Sequence, residues 1–154
     1  MIDCDDYTCF FSAGLVIFTM KHDLYERDAV AAAADTLKKY VRKIATRSNK
    51  AVPVLIDLRK CKDFAVSHIC MTVSILVGER DALLEFVSAS AVLMEIDSTM
   101  EMVRGALLSM YTPVRPFGMF AKESESREFL LPVKDPKPMS KSNTKPIMCT
   151  TCHP

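Results

Sequence analysis

Apolar and polar residues follow each other in blocks along this chain, and the most informative block is AVPVLIDLR at positions 51–59. Its apolar part is short and continuous and stops abruptly at charged residues, which is typical of a strand buried on both faces of a sheet. A second apolar run, 86–96, has the same character. Helical patterns lie between such runs, so the chain is predicted to form crossover connections and a mainly parallel sheet.

The first residues predict a hairpin. Two β-prone runs, 7–11 and 15–20, flank the turn signal Ser12-Ala13-Gly14. This arrangement is typical of two antiparallel strands, and we expect a three-residue loop between them.

A long amphipathic helix is predicted next. Asp23 is a good N-cap residue and Glu26 follows three positions later, which resembles a capping box. Apolar residues then recur at helical spacing to about Arg47, and Asn49 and Lys50 are predicted to end the helix.

Four further elements complete the predicted order β-β-α-β-α-β-α-β-α, with a sheet of about five strands. Residues 64–77 are predicted to be a helix, with a strand as the alternative. Ser98 and Glu101 resemble a second capping box and predict a helix. The run 115–120 predicts a short strand that lies at an edge or begins at Pro116, because proline cannot donate to a ladder. The last predicted element is a helix over 123–131.

Composition supports one domain over residues 1–131, followed by a tail over 132–154. The chain has 154 residues and 49% hydrophobic content, enough for one domain with a core. The tail holds five prolines and four lysines with few large apolar groups, so it is predicted to be disordered.

Charge and cysteine content indicate the expected compartment and the kinds of partner. A net charge of +1 does not favour specific nucleic-acid binding, and no apolar run is long enough for a transmembrane segment. The acidic start, MIDCDD, differs from the basic start of a secretory signal, so we expect a cytosolic or nuclear, most simply cytoplasmic, protein whose six cysteines are reduced.

Candidate functional residues cluster where the predicted strands end. In parallel sheets, ligands gather at the carboxyl ends of strands, which directs attention to Asp57, Arg59 and Lys60. These residues could bind a polar ligand or a partner, although a local ion pair at a solvated strand end is the favoured interpretation. Ser98 and Thr99 could receive an anion at a helix N-terminus, with ordinary capping favoured.

The remaining motifs are weaker indications of a functional site. A basic face on the first long helix could dock on an acidic partner, RNA or anionic lipid, but a solvated face is favoured. His68 could pair with Cys61 or Cys70 as base and nucleophile, yet no orienting group or oxyanion hole is evident. The pattern C-x-x-C-H occurs near the end of the chain, at Cys149-Thr150-Thr151-Cys152-His153. We interpret this match as chance, with a zinc half-site as the alternative. We therefore expect no enzyme activity, no cofactor and no metal site.

Three stretches resemble the SpoIIAA-like fold of STAS domains, and most of all small stand-alone STAS-like proteins of unknown role. VPVLIDLRKCKDF (52–64) is similar to the PVLVDLRGVK strand of that group, SASAVLMEI (88–96) to its central strand, and PFGMFAKESESREFL (116–130) to its closing strand and helix. The resemblance covers residues 7–131. It implies an α/β sandwich with a mixed, mainly parallel sheet.

The resemblance also implies a function. Some members of the fold are anti-sigma-factor antagonists that are switched by phosphorylation of a serine in Asp-Ser-[Ser/Thr]-Gly. The corresponding stretch is Ala65-Val66-Ser67-His68, in which Ser67 lies next to the expected position. In the stand-alone group a basic residue usually stands where this chain has Gly118. The predicted function is a non-enzymatic regulatory or protein-interaction module with a protein partner or a homodimer. The alternative is a carrier that binds a small lipid or anion.

Overall fold

The computed structural model describes residues 1–62, 78, 80–95, 98–110 and 112–131. Within these residues, one sheet and the helices around it account for nearly all regular structure. The strands are β1 (Ile2–Asp3), β2 (Tyr7–Ser12), β3 (Leu15–Met20), β4 (Val52–Asp57), β5 (Val87–Leu93) and β6 (Phe117–Phe120). The helices are α1 (Arg27–Ser48), α2 (Arg80–Phe86), α3 (Ser98–Met110) and α4 (Glu123–Leu130).

The strands lie side by side in chain order, β1-β2-β3-β4-β5-β6. The pairs β1/β2 and β2/β3 are antiparallel, while β3/β4, β4/β5 and β5/β6 are parallel. In the register, Thr19 is opposite Asp57, Asp57 opposite Leu93, and Leu93 opposite Phe120. The mainly parallel sheet is therefore confirmed, and the carboxyl ends of four strands meet at one edge. The sheet has six strands rather than about five, because β1 is only two residues long and leaves no hydrophobic pattern.

The hairpin β2–β3 is confirmed, but its loop is shorter than predicted. Ser12 pairs with Leu15, which leaves two loop residues rather than three. Ala13 and Gly14 have φ of 51° and 83°. Positive φ at both central positions is the requirement of a two-residue type I′ loop, whose twist matches that of the flanking strands. Ser12 therefore belongs to the ladder and not to the turn.

Helix α1 is confirmed, but its start differs from the predicted capping box. Glu26, not Asp23, is the N-cap residue, and its side chain makes no capping hydrogen bond. The Asp23 carboxylate instead accepts the backbone N–H of Lys62 at 2.9 and 3.1 Å. The Asp23 side chain, which the sequence pattern assigned to the cap, is thus hydrogen-bonded to a loop far along the chain. The predicted end is confirmed, since Asn49 is the left-handed C-cap with φ of 52°.

The core occupies both faces of the sheet. On one face α1 packs Val41 and Ala45 against strand residues such as Phe18 and Val54, and the hydroxyl of Tyr7 donates to Thr36 Oγ1 of α1 at 2.9 Å. The same face continues under α3, with Val103 against Val92 and Met94. On the other face Leu130 of α4 is buried with Leu15, Ile17, Leu55 and Leu93. The parallel strands are thus covered on two sides, which explains their continuous apolar runs.

The later elements differ from prediction mainly at their ends. The second apolar run is β5 only over Val87–Leu93, since Phe86 closes the unpredicted helix α2. The strand β6 lies at an edge, and Pro116 precedes it, so that prediction is confirmed. Helix α4 is confirmed, and Ser98 is the first residue of α3. The predicted helix over 64–77 and the tail over 132–154 lie outside the described residues.

Candidate functional site

Asp57 and Arg59 form a bidentate ion pair at the carboxyl end of β4. Asp57 is the last residue of the strand, and its side chain is only 12% exposed. Arg59 Nε donates to Asp57 Oδ1 at 3.0 Å, and Arg59 Nη2 donates to Oδ2 at 2.7 Å. The backbone N–H of Arg59 also donates to Oδ1 at 3.1 Å. The local ion pair expected here is present, and the buried carboxylate has three donors.

The pair extends to helix α4. Arg59 Nη2 also donates to Glu123 Oε2 at 3.3 Å, and Glu123 Oε1 accepts from Arg127 Nε at 2.9 Å. Glu123 is the first residue of α4, where a negative charge is favourable next to the helix N-terminus. We call the four residues Asp57, Arg59, Glu123 and Arg127 the charge ladder. The sequence analysis missed Glu123 and Arg127, because they lie more than sixty positions from β4 along the chain.

The electrostatics of the charge ladder keep Arg59 ionised. The hydrogen bond that Arg59 donates to Asp57 is the main cause that raises the pKa of Arg59 above its ordinary value, and the negative charges of Asp57 and Glu123 add to it. The Arg59 side chain is nevertheless 43% exposed. A fixed, charged guanidinium is thus presented to solvent at the strand ends.

A second ion pair lies beside the charge ladder. Lys62 Nζ contacts Glu95 Oε2 at 2.8 Å, and so joins the segments that follow β4 and β5. The backbone holds these segments together too, because Leu58 N–H donates to Leu93 O at 2.7 Å. Lys60 lies in the turn directly after β4; it is exposed and forms no ion pair with any residue that the structure describes. Lys60 is therefore an exposed cation next to Arg59 in the chain.

The Cys61 thiol is buried next to this site. Its Sγ donates to the carbonyl of His22 at 3.6 Å. Burial is the main cause that raises the pKa of Cys61 to about 11, and the charges of Asp23 and Asp57 act in the same direction. At neutral pH the sulfur is a protonated thiol, whereas nucleophilic attack needs a thiolate. His68, the base with which Cys61 could pair, and Cys70, the alternative nucleophile, lie outside the described residues.

The remaining predicted site residues are only partly placed. Ser98 and Thr99 are the first two residues of α3, and the structure describes their backbone only. Ser67, the candidate phosphosite, and the motif Cys149-x-x-Cys152-His153 lie outside the described residues. In the described part of the chain, no group of three His, Cys, Asp or Glu side chains could hold a metal ion. Within the same residues, no helix is both long and apolar enough to span a bilayer.

Two clefts lie at the opposite end of the parallel strands. The larger, of about 320 Å³, lies between the ends of α1 and α2 and is lined by residues that include Ala45, Asn49 and Phe86. The smaller, of about 210 Å³, lies between the hairpin turn and the end of α4. The sequence analysis did not predict them, because their walls come from turns and helix ends scattered along the chain.

The comparisons with known proteins bear on the fold. Among solved structures, the chain is similar to an uncharacterised protein from the DUF3478 family with a SpoIIAA-like fold, from Shewanella loihica PV-4. The two chains share 10% sequence identity and superpose with a TM-score of 0.50, over 80% of this chain and 91% of that one. The chain has a SpoIIAA-like fold. No family model matches the sequence, and no curated protein matches it.

The SpoIIAA-like fold confirms the fold that the sequence resemblance implied, and the structure explains one departure from that group. Gly118 lies in β6 directly under the ring of Phe120. A Cβ at position 118 would lie 2.5 Å from Phe120 Cε2, and the ring also packs on Phe129 with centroids 5.2 Å apart. An aromatic ring thus occupies the space that the stem of a basic side chain would need in this SpoIIAA-like domain.

Proposed function

We propose that this SpoIIAA-like domain is a non-enzymatic regulatory or protein-interaction module whose partner docks at the carboxyl ends of β4 and β5. The observation that carries the proposal is the position of Arg59. Asp57 and Glu123 hold its guanidinium at 2.7 and 3.3 Å, while much of the side chain faces solvent.

The charge ladder suits a docking surface because it is already ordered. Binding loses affinity when rotamer-rich side chains have to be immobilised, and here Arg59 is fixed before any partner arrives. Arginine is also enriched at protein interfaces, since its fork recognises carboxylates in a defined orientation. A partner with an acidic group would find Arg59 and Lys60 next to each other.

Helix α3 adds an exposed apolar residue near the carboxyl end of β5. It begins where β5 ends, and Met102 in its second turn is 49% exposed. Flexible methionine side chains adapt to different partner shapes.

Native mass spectrometry of the protein purified from its own cells tests the proposal first. We expect a stoichiometric complex with another protein, or a homodimer. A bound mass of a few hundred daltons without a protein partner would contradict the interaction module and favour the carrier.

A charge reversal then tests the surface. Lys60→Glu should weaken the complex by about tenfold, which corresponds to ~1.4 kcal/mol, because it places a negative charge next to Arg59 where the acidic group docks. Glu128→Lys is the matched control, since Glu128 is exposed farther along α4. Equal affinities for the Lys60→Glu variant and the unchanged protein would show that the partner docks elsewhere.

The carrier alternative has one observation in its favour. The larger cleft, about 320 Å³, reaches the lower end of the range of roughly 300–1,000 Å³ typical of small-molecule sites. A carrier should gain stability when its ligand is added, because ligand binds the folded state alone. The mass measurement above separates this alternative from the interaction module.

A further inference from the structure

The second half of α1 carries a charged surface that the proposed function does not use. Residues 36–50 contain six lysines and arginines and no acidic residue. The whole chain has a net charge of +1, so all its other residues together carry −5. Positive charge is therefore concentrated on one surface rather than spread over the molecule. We call the exposed cations of this stretch the basic face of α1: Lys39, Arg42, Lys43, Arg47 and Lys50.

Helical geometry brings the side chains of the basic face together on the solvent side of α1. Lys39, Lys43 and Arg47 follow one another at intervals of four residues, which corresponds to about 6 Å along the helix axis. Val41 and Ala45, on the opposite side of the helix, are buried against the sheet. All exposed residues between positions 39 and 50 are polar. The basic face is thus a row of cations without an exposed apolar anchor.

Only part of this charge is compensated within the described part of the chain. Lys39 Nζ contacts Asp35 Oδ2 at 2.6 Å, and the Arg42 guanidinium lies over the ring of Phe86, 5.5 Å from its centroid. The other members of the basic face form no ion pair with any residue that the structure describes: Lys43, Arg47 and Lys50. An anion at this surface would therefore meet three cations that have no competing carboxylate.

The helix dipole explains only one of these cations. Positive charge is favourable in the last turn of a helix, where Arg47 lies. Lys39 and Lys43 lie farther from the helix end, where this effect has faded. Like charges four residues apart, as in Lys39/Lys43 and Lys43/Arg47, destabilise a helix. A polyanion along the basic face would relieve that repulsion.

The composition of the basic face selects nucleic acid among the polyanions. Protein interfaces have an apolar core, and the basic face has no exposed apolar residue. A flat anionic bilayer laid on it would also meet the exposed Glu85, which lines the same cleft as Lys50. Nucleic-acid phosphates are bound by lysine and arginine together with hydroxyl and amide side chains, and Thr46 and Asn49 are exposed among the cations.

Duplex DNA fits the basic face better than a single strand does. Single strands gain sequence-independent affinity when their bases stack on aromatic side chains, and no exposed residue between positions 39 and 50 is aromatic. Duplex DNA keeps its bases stacked and carries one negative charge per about 1.7 Å of its axis. Its major groove, about 12 Å wide, accepts an α-helix, whereas that of A-form RNA is too narrow.

We propose that the basic face of α1 binds the phosphate backbone of double-stranded DNA without regard to base sequence. Lys43, Arg47 and Lys50 neutralise phosphates, and the negative charge of the rest of the chain turns the other surfaces away from the DNA. Helix α1 and the helix that carries Glu123 cover opposite faces of the sheet. This proposal is therefore independent of the proposed function, and either can fail without the other.

The test uses the full chain and a fluorescein-labelled DNA duplex of about 20 base pairs, titrated by fluorescence anisotropy from about 20 to 200 mM NaCl. We expect the logarithm of the binding constant to fall linearly with the logarithm of the salt concentration. The slope should be about −3 to −4, because each neutralised phosphate contributes about −0.9 and three to four cations are available. A duplex of unrelated sequence should bind equally well. Absence of binding at the lowest salt concentration would overturn the proposal.

Neutral substitutions locate the DNA. Lys43→Gln and Arg47→Gln should each make the slope shallower by about 0.9. Arg27→Gln is the matched control, because Arg27 is an exposed cation at the first residue of the same helix and should leave the slope unchanged. All three side chains are exposed, so circular dichroism should show folded variants.

Three results would contradict the proposal. The first is an equal slope for the Lys43→Gln variant, the Arg47→Gln variant and the unchanged protein. The second is tighter binding to a single-stranded oligonucleotide of the same length. The third is binding to phosphatidylserine-containing vesicles that is sensitive to Lys43→Gln and stronger than binding to the duplex.

Discussion

Single residues at the strand ends show how much a local pattern can reveal. The spacing of Asp57 and Arg59 was enough to predict a local ion pair, because residues two apart at a strand end can reach each other. It was not enough to predict Glu123, which contacts Arg59 at 3.3 Å only because α4 folds back across the sheet. A long-range partner of this kind is invisible to any reasoning from sequence neighbours.

Gly118 allows a prediction at the residue scale. Gly118→Ala should lower the free energy of unfolding by about 1–3 kcal/mol, since the new Cβ would overlap the Phe120 ring and displace it from Phe129. Urea denaturation followed by circular dichroism measures the change. Gly105→Ala is the matched control: among the described residues, no atom outside its own helix backbone and its two chain neighbours lies within 4 Å of its Cβ position in α3, so alanine should stabilise that helix by about 0.5–1 kcal/mol. Shifts of equal sign in the two variants would contradict this account.

At the scale of elements, periodicity and turn chemistry predicted most of what is seen. The hairpin, α1, β4, β6 and α4 all lie where the pattern placed them, because each has its own apolar period and its own breaker residues. The errors concern boundaries: Ser12 joined the ladder, Phe86 joined a helix, and Asp23 was drawn away from the start of α1 by the N–H of Lys62. Of these, the Asp23–Lys62 contact joins residues distant in sequence, whereas Ser12 pairs with Leu15 within the hairpin itself.

The start of α1 can be improved by one substitution. Glu26 has the extended backbone of an N-cap residue, with φ of −84° and ψ of 130°, but its side chain caps nothing. Glu26→Ser should therefore raise the free energy of unfolding by about 0.5–1 kcal/mol, because the serine oxygen can accept a free N–H of the first turn. The Glu26→Ala variant, which lacks that oxygen, should show no such gain in the same urea denaturation experiment. A serine variant no more stable than the alanine variant would refute the explanation.

At the scale of the whole molecule, burial couples folding to alkaline pH. Burial is the main cause that raises the pKa of the Cys9 thiol to about 12 and that of Cys61 to about 11, above the ordinary value of 9.0. The folded state therefore keeps these protons at pH values where the unfolded chain releases them. The contribution of these protonated thiols to the free energy of unfolding is complete below pH 9.0, and it is lost as the pH rises towards 11 and 12.

The expected result is a fall in the free energy of unfolding above pH 9.0, with a slope of up to about 1.36 kcal/mol per pH unit for each thiol. Urea denaturation at a series of pH values measures it. Cys61→Ala should reduce the slope whatever it does to stability at neutral pH. An unchanged slope in that variant would mean that Cys61 does not contribute. The hydrogen bond to Asp3 is the main cause that raises the pKa of Lys21, so Lys21 also contributes to the fall in the free energy of unfolding at alkaline pH. The Lys21→Met variant lacks this contribution, and its difference from the unchanged protein measures it.

The sequence by itself determined most of the strands and helices that the structure describes, that the sheet is mainly parallel, and that charged residues gather where β4 ends. These properties follow from period, turn residues and the burial of both sheet faces, all of which are local. Only the tertiary structure decided that Arg59 contacts Glu123, that the Asp23 carboxylate accepts the backbone N–H of Lys62, and that two clefts lie at the amino ends of the parallel strands. Each of these depends on residues that are distant in sequence and are brought together by packing, and no local pattern records such a contact.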